Sequence, residues 1–153
     1  MDALLETWAI NQWMNNSLMK GIKDDYLSDV GAAKGRTVGE QLAHIHNVCL
    51  MWLKASAPEL LVSQKKLDKE QIMTMSLLMK EFQKSADAIT RLLEMGLASG
   101  RIKGFKPHPQ AFLGYMISHE SHHRGQIILT LKENNHLPDK KVLYGLWEWG
   151  DRV

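Results

Sequence analysis

The chain has 153 residues, 44% hydrophobic and 24% charged, enough for one domain (1–153) that buries about two-thirds of its unfolded surface. A formal charge of +2 with scattered Lys and Arg excludes the basic stripe of a nucleic-acid binder. No stretch reaches the roughly 18 apolar residues of a membrane span, the N-terminus lacks a signal-peptide pattern, and the lone Cys49 leaves no internal disulfide; the expected location is the cytoplasm, with no membrane partner.

Helical periodicity dominates, and strand-type alternation is absent. The first predicted helix runs from about Asp2 to Lys23, with the stripe Leu4, Trp8, Asn11, Asn15, Leu18 and Ile22. Two asparagines in its middle leave two readings. The preferred one is that the helix is offset, with Trp13 and Met14 doing the burying; the other is that Asn11 or Asn15 faces a polar cavity in a bundle. Asp24 to Arg36 reads as a loop containing Gly31 and Gly35. Thr37-Val38-Gly39-Glu40 then spells a capping box that opens a second helix, which ends near Ser56 before Pro58. This helix is apolar on two faces, one through Val38, Leu42, Ile45, Cys49, Trp52 and Leu53, the other through Gln41, His44, Val48, Met51, Trp52 and Ala55. His44 and His46 lie about 200° apart on it, and the helical wheel mildly favours His46 as the inward ring.

Pro58 to Leu67 reads as a connection. Asp68 is the expected cap of a third helix, with Gln71 three residues on and a Leu67–Ile72 staple. The stripe Ile72, Met75, Met79, Phe82, Ala86, Ile89, Leu93 carries no ionisable residue and reads as core. Gly96 to Pro109 is a loop, with His108 at the surface. A fourth helix starts at Pro109 and ends near Asn134-Asn135. The tail from His136 to Val153 contains Val142, Leu143, Tyr144, Leu146, Trp147 and Trp149, too apolar to be left unpacked, and is expected on the bundle or on a second subunit. Four long helices of this kind predict an all-α four-helix bundle, an architecture that builds metal sites between facing helices.

The fourth helix carries His119-Glu120-Ser121-His122-His123-Arg124-Gly125-Gln126. His119 and His123 are about 40° apart, on the face that also holds Phe112, Met116, Ile127 and Thr130. Two imidazoles inside an apolar stripe need partners, since unpaired burial costs about 1–3 kcal/mol each. A divalent metal satisfies both; hydrogen bonds between core histidines or to water are the alternative. The letters His119-Glu120-Ser121-His122-His123 also match the H-E-x-x-H of zincin proteases, but the positions where the extended metzincin form places its Gly and third His hold Gln126 and Leu129, and no substrate-binding strand precedes them. That reading ranks low.

Two segments together carry a family resemblance. Arg36-Thr37-Val38-Gly39-Glu40-Gln41-Leu42-Ala43-His44-Ile45 resembles the second-helix signature of the DinB-like superfamily of metal-binding four-helix bundles, and His119-x-x-x-His123-Arg124-Gly125-Gln126-Ile127 resembles its fourth-helix signature. The resemblance implies a divalent metal, typically zinc or nickel, held by His44, His119 and His123 with a position open to water, against the wheel's preference for His46. It further implies a metal-dependent enzyme acting on a small molecule, by thiol-dependent S-transfer or isomerisation with a low-molecular-weight thiol, or as a hydrolase, and a homodimer; a non-catalytic, stress-related metal-binding dimer is the alternative. His46 and His122 are then neighbours of the site. Glu120 is expected either to face solvent, the preferred reading, or to serve as a proton shuttle or a partner to a ligand. Arg124 and Gln126 are marked without a role.

Overall fold

In the computed structural model, which describes residues 2–70 and 74–151, the elements are set by local signals. Asp2 accepts a hydrogen bond from the Leu4 amide and caps α1, Ala3–Lys20. Thr37 and Glu40 close the expected capping box reciprocally, at 3.1 and 2.9 Å, and open α2, Val38–Ser56. Helix α3, Met75–Ser99, ends on Gly100 in the left-handed conformation that glycine adopts without steric cost. Helix α4, Pro109–Glu133, starts with Pro at its first position, and His108, exposed as expected, caps it by accepting from the Ala111 amide. A short α5, Lys140–Gly145, follows.

One predicted boundary is corrected. The third helix begins at Met75, capped by Thr74, and not at Asp68. Asp68 sits in the connection between α2 and α3, while Leu67 is buried with its amide and carbonyl both bonded to the Asn47 side chain at 3.0 and 2.7 Å. The Asn47 side chain thus holds the Leu67 backbone in the connection. The expected partners Gln71 and Ile72 lie outside the described residues.

The main helix pairings are α2–α3, α1–α3, α2–α4 and α1–α4. The ring order is therefore α1, α3, α2, α4, with α4 flanked by α1 and α2. Among the described residues there is no extended strand, and no helix is long and apolar enough to cross a membrane. The core forms two clusters: one around Met14, Leu18, Leu42, Ile45, Leu78, Phe82 and Ile127, the other around Trp8, Leu53, Ile89, Leu93, Phe112 and Met116. The described members of the predicted α3 stripe are buried or partly buried, but Glu81 beside them is buried too, ion-paired to Lys84 at 3.0 Å. In the tail, Leu146 joins the core and His136 binds Asp29 at 2.6 Å while stacking on Tyr26, whereas Tyr144 and Trp147 remain exposed.

The capping box sets where α2 starts, and so where the following histidines point. Replacing Thr37 with Ala should cost about 1 kcal/mol, read as a lowered urea midpoint with an unchanged slope.

Candidate metal centre

The three histidines named by the motif pair converge. One ring nitrogen from each of His44, His119 and His123 lies within 4.8 Å of the other two, and the Nε2 atoms of His44 and His119 are 3.3 Å apart. Helix α2 supplies His44 and α4 supplies the other two, one turn apart. His123 is buried, while His44 and His119 are half-buried on the flank where α2 meets α4.

The tautomer of His123 is fixed by its neighbour. Its Nδ1 lies 2.6 Å from Gln41 Oε1, an oxygen that can only accept, so Nδ1 carries the hydrogen and Nε2 offers a lone pair. That is the arrangement in which a partner to a metal-bound histidine orients the ring. Burial, followed by the mutual repulsion of the cluster, holds the His123 imidazole well below its ordinary value, at about 4. Burial lowers His44 and His119 as well, and the Arg36 guanidinium adds to the effect on all three. The rings are therefore neutral near pH 7, as ligands must be. His119 Nδ1 is buried without a partner, so the direct contact between His44 and His119 does not make this a fully satisfied core cluster. The set of three neutral imidazoles with facing nitrogens fits a divalent ion.

His46 takes the other role. It is fully buried, as the wheel implied, but both its ring nitrogens are used: Nε2 donates to the Lys65 carbonyl at 2.8 Å, and Nδ1 lies 3.0 Å from Ser85 Oγ. It ties the 62–67 connection to α2 and α3. The wheel measured burial, and burial was not the property that distinguishes the residue whose ring reaches the cluster.

Glu120 corrects the expectation of a solvent-facing residue. It is 1% exposed, and its Oε2 accepts from Asn11 Nδ2 at 2.5 Å, Asn15 Nδ2 at 2.8 Å and Gln12 Nε2 at 3.1 Å. Burial raises its carboxyl, with the Asn15 amide and the Arg124 charge opposing. Arg124 donates to Asn11 Oδ1 at 2.9 Å and Asn15 Oδ1 at 2.7 Å, so each asparagine bridges a buried cation and a buried acid. Asn11 and Asn15 are thus inward and satisfied, and the preferred offset reading of α1 is overturned; Met14 is buried beside them and Trp13 only partly. Both carboxylate oxygens of Glu120 are occupied away from the histidines, Oε1 by the Cys49 thiol at 3.8 Å, which gives Glu120 a structural task and no shuttle geometry. Gln126 and His122 are exposed, the latter with its ring 5.1 Å from that of His123.

Sequence reasoning passed over three residues of the site. Gln41 precedes His44 by one turn and lies on the same predicted face, which was the available signal. Tyr115 precedes His119 by one turn, and its ring stacks near that of His119 at 6.4 Å between centroids. Arg36, read only as the first letter of a motif, lines a cavity of about 200 Å³ whose wall includes His44.

A sequence model of the DinB family matches residues 1–140. No curated protein and no solved structure matches the chain.

Two outcomes follow. For the chelated protein, the depressed histidine values mean that the unfolded chain binds more protons between the ordinary 6.5 and about 4, so stability should rise with pH across that window and level off above it. His123→Ala should flatten the rise; an unchanged slope in pH-dependent urea melts would count against the neutral cluster. Separately, Arg124→Met strands the Glu120 carboxylate and should lower stability by about 3–5 kcal/mol in the same assay.

Proposed function

The chain belongs to the DinB family, and on that premise we propose that it is a metal-dependent enzyme in which His44, His119 and His123 hold a divalent ion, zinc or nickel. The observation that carries the reading is the convergence of three ring nitrogens within 4.8 Å, one of them with its tautomer set by Gln41. Three imidazoles leave a position for water or substrate, the ligand set of catalytic sites; structural zinc sites are closed by a fourth protein ligand. Among the described residues no fourth His, Cys, Asp or Glu joins the cluster. Bound there, a divalent ion lowers the pKa of a coordinated water or thiol and so supplies a nucleophile near neutral pH.

The chain's own contribution is placement. Gln41 holds the His123 ring, and Tyr115 stacks beside His119. The reaction we favour is a small-molecule transfer to or from a low-molecular-weight thiol, with hydrolysis next, in the cytoplasm. The exposed Leu137, Tyr144, Trp147 and Trp149 support a homodimer built through the tail. The close contact of His44 with His119 supports a second reading, in which the cluster contributes stability without turnover.

Elemental analysis of untagged, unchelated protein tests the site. About one zinc or nickel per chain is expected, lost in His44→Ala and in His123→Ala and kept in His46→Ala, which should instead lose stability. No metal after loading with either ion would end the proposal. Metal bound with no turnover of any electrophile in the presence of thiols would leave the second reading.

A further inference from the structure

The loop that precedes α2 carries an exposed cation, Arg36, whose charge acts on all three histidines. Asp29 O accepts from the Val38 amide at 2.9 Å, the Ala32 amide donates to Glu133 Oε2 at 2.8 Å, and Asn134 Nδ2 donates to the Val30 carbonyl at 3.0 Å. The loop is therefore fastened to the start of α2 and the end of α4. Between these anchors the chain turns through two residues with positive φ, Lys34 at 62° and Gly35 at 100°, and delivers Arg36 next to Thr37, the cap of α2.

Arg36 lines two cavities. The first, about 200 Å³, has His44 in its wall together with Glu40, Lys66, Asp68 and Lys69; the second, about 320 Å³, contains Gln41, the residue that orients His123. Arg36 thus shares one cavity wall with His44 and another with the residue that orients His123. Its neighbours in the first cavity already pair: Lys66 lies 3.5 Å from Asp68, and Lys69 lies 3.9 Å from Glu40, whose other oxygen accepts from the Thr37 amide. Among the described residues, no hydrogen bond or ion pair engages the Arg36 guanidinium.

A free guanidinium here works against the proposed ion, because like charges repel. Its position makes sense if it meets a group that the ion's ligand carries. We infer that Arg36 anchors a carboxylate on the small molecule that enters the His44–His119–His123 site. The wall of the first cavity favours a carboxylate over a phosphate, because Glu40 and Asp68 beside Arg36 repel a doubly charged group more than a singly charged one. The guanidinium fork matches the two carboxylate oxygens. The inference rests on the metal reading above and adds the substrate's charge to it.

The test uses full-length protein loaded with cobalt(II), in which a metal-bound thiolate gives a charge-transfer absorption. Two thiols serve as probes: 3-mercaptopropionate, which carries a carboxylate, and 2-mercaptoethanol, which does not. Arg36→Gln should weaken 3-mercaptopropionate binding about tenfold, the effect of one lost charge-assisted contact. It should change 2-mercaptoethanol binding less than about twofold, because the ion itself is untouched. Lys132→Gln, which removes an exposed charge that lines neither cavity, should alter neither. Equal weakening of both thiols in Arg36→Gln, no weakening of either, or a Lys132→Gln effect as large would overturn the inference while leaving the metal site standing. Failure of the unsubstituted protein to bind cobalt would bring down the metal reading and this inference together.

Discussion

The arrangement depends on one buried polar lattice between α1 and α4. Two adjacent positions on α4, Glu120 and Arg124, are one turn apart, and Asn11 and Asn15 on α1 are likewise one turn apart. Each asparagine offers its amide hydrogens to the acid and its oxygen to the guanidinium, so neither charge is left uncompensated in the interior. An amide has one donor end and one acceptor end. Sliding either helix by a residue would carry the amides away from both charges and leave them buried without partners, so the lattice selects a single rotation and register of α4, much as a buried polar residue selects register in other helical assemblies.

That rotation is what puts the histidines where they are. His119 and His123 precede Glu120 and Arg124 by one residue each, about 100° around the helix. With one side of α4 committed to α1, the adjacent side turns to α2, where Gln41 and His44 wait. Helix α2 is fixed in turn by its capping box at one end and by His46, which fastens it to α3 and to the 62–67 connection. The candidate centre therefore rests on two independent clamps, one polar and charged, the other neutral.

Much of this was legible in the residues, and the failures have identifiable physical causes. Helices α2 and α4 were readable because their ends carry explicit chemistry, a capping box and a Pro. The start of α3 was misplaced because Asp68 imitates a cap, while the competing bond from Asn47 to the Leu67 backbone comes from 20 residues away and leaves no local trace. The offset reading of α1 and the solvent-facing reading of Glu120 share one cause: periodicity treats a polar side chain as a reason for exposure, and it has no means of seeing that two amides, an acid and a guanidinium satisfy one another. The choice of His44 over His46 came from the motif pair. The wheel ranked the two rings by depth, correctly, but a residue that must meet both a partner helix and a ligand from outside belongs at half-depth.

The chain of rings at the other end of the site has an optical consequence. Trp52 makes edge contacts with Phe105, Phe112 and Tyr115, at 5.5 Å from each, and Tyr115 in turn lies against His119. Trp8 is instead sealed under α3, donating to the Ala86 carbonyl, and Trp147 projects outward. The indoles thus sample different depths and surroundings, and among these three only Trp52 is joined to the histidine cluster through neighbouring aromatic side chains. Emission from Trp52 is the natural internal gauge of events at the cluster, while Trp8 supplies a reference from the sealed interior and Trp147 one from the surface.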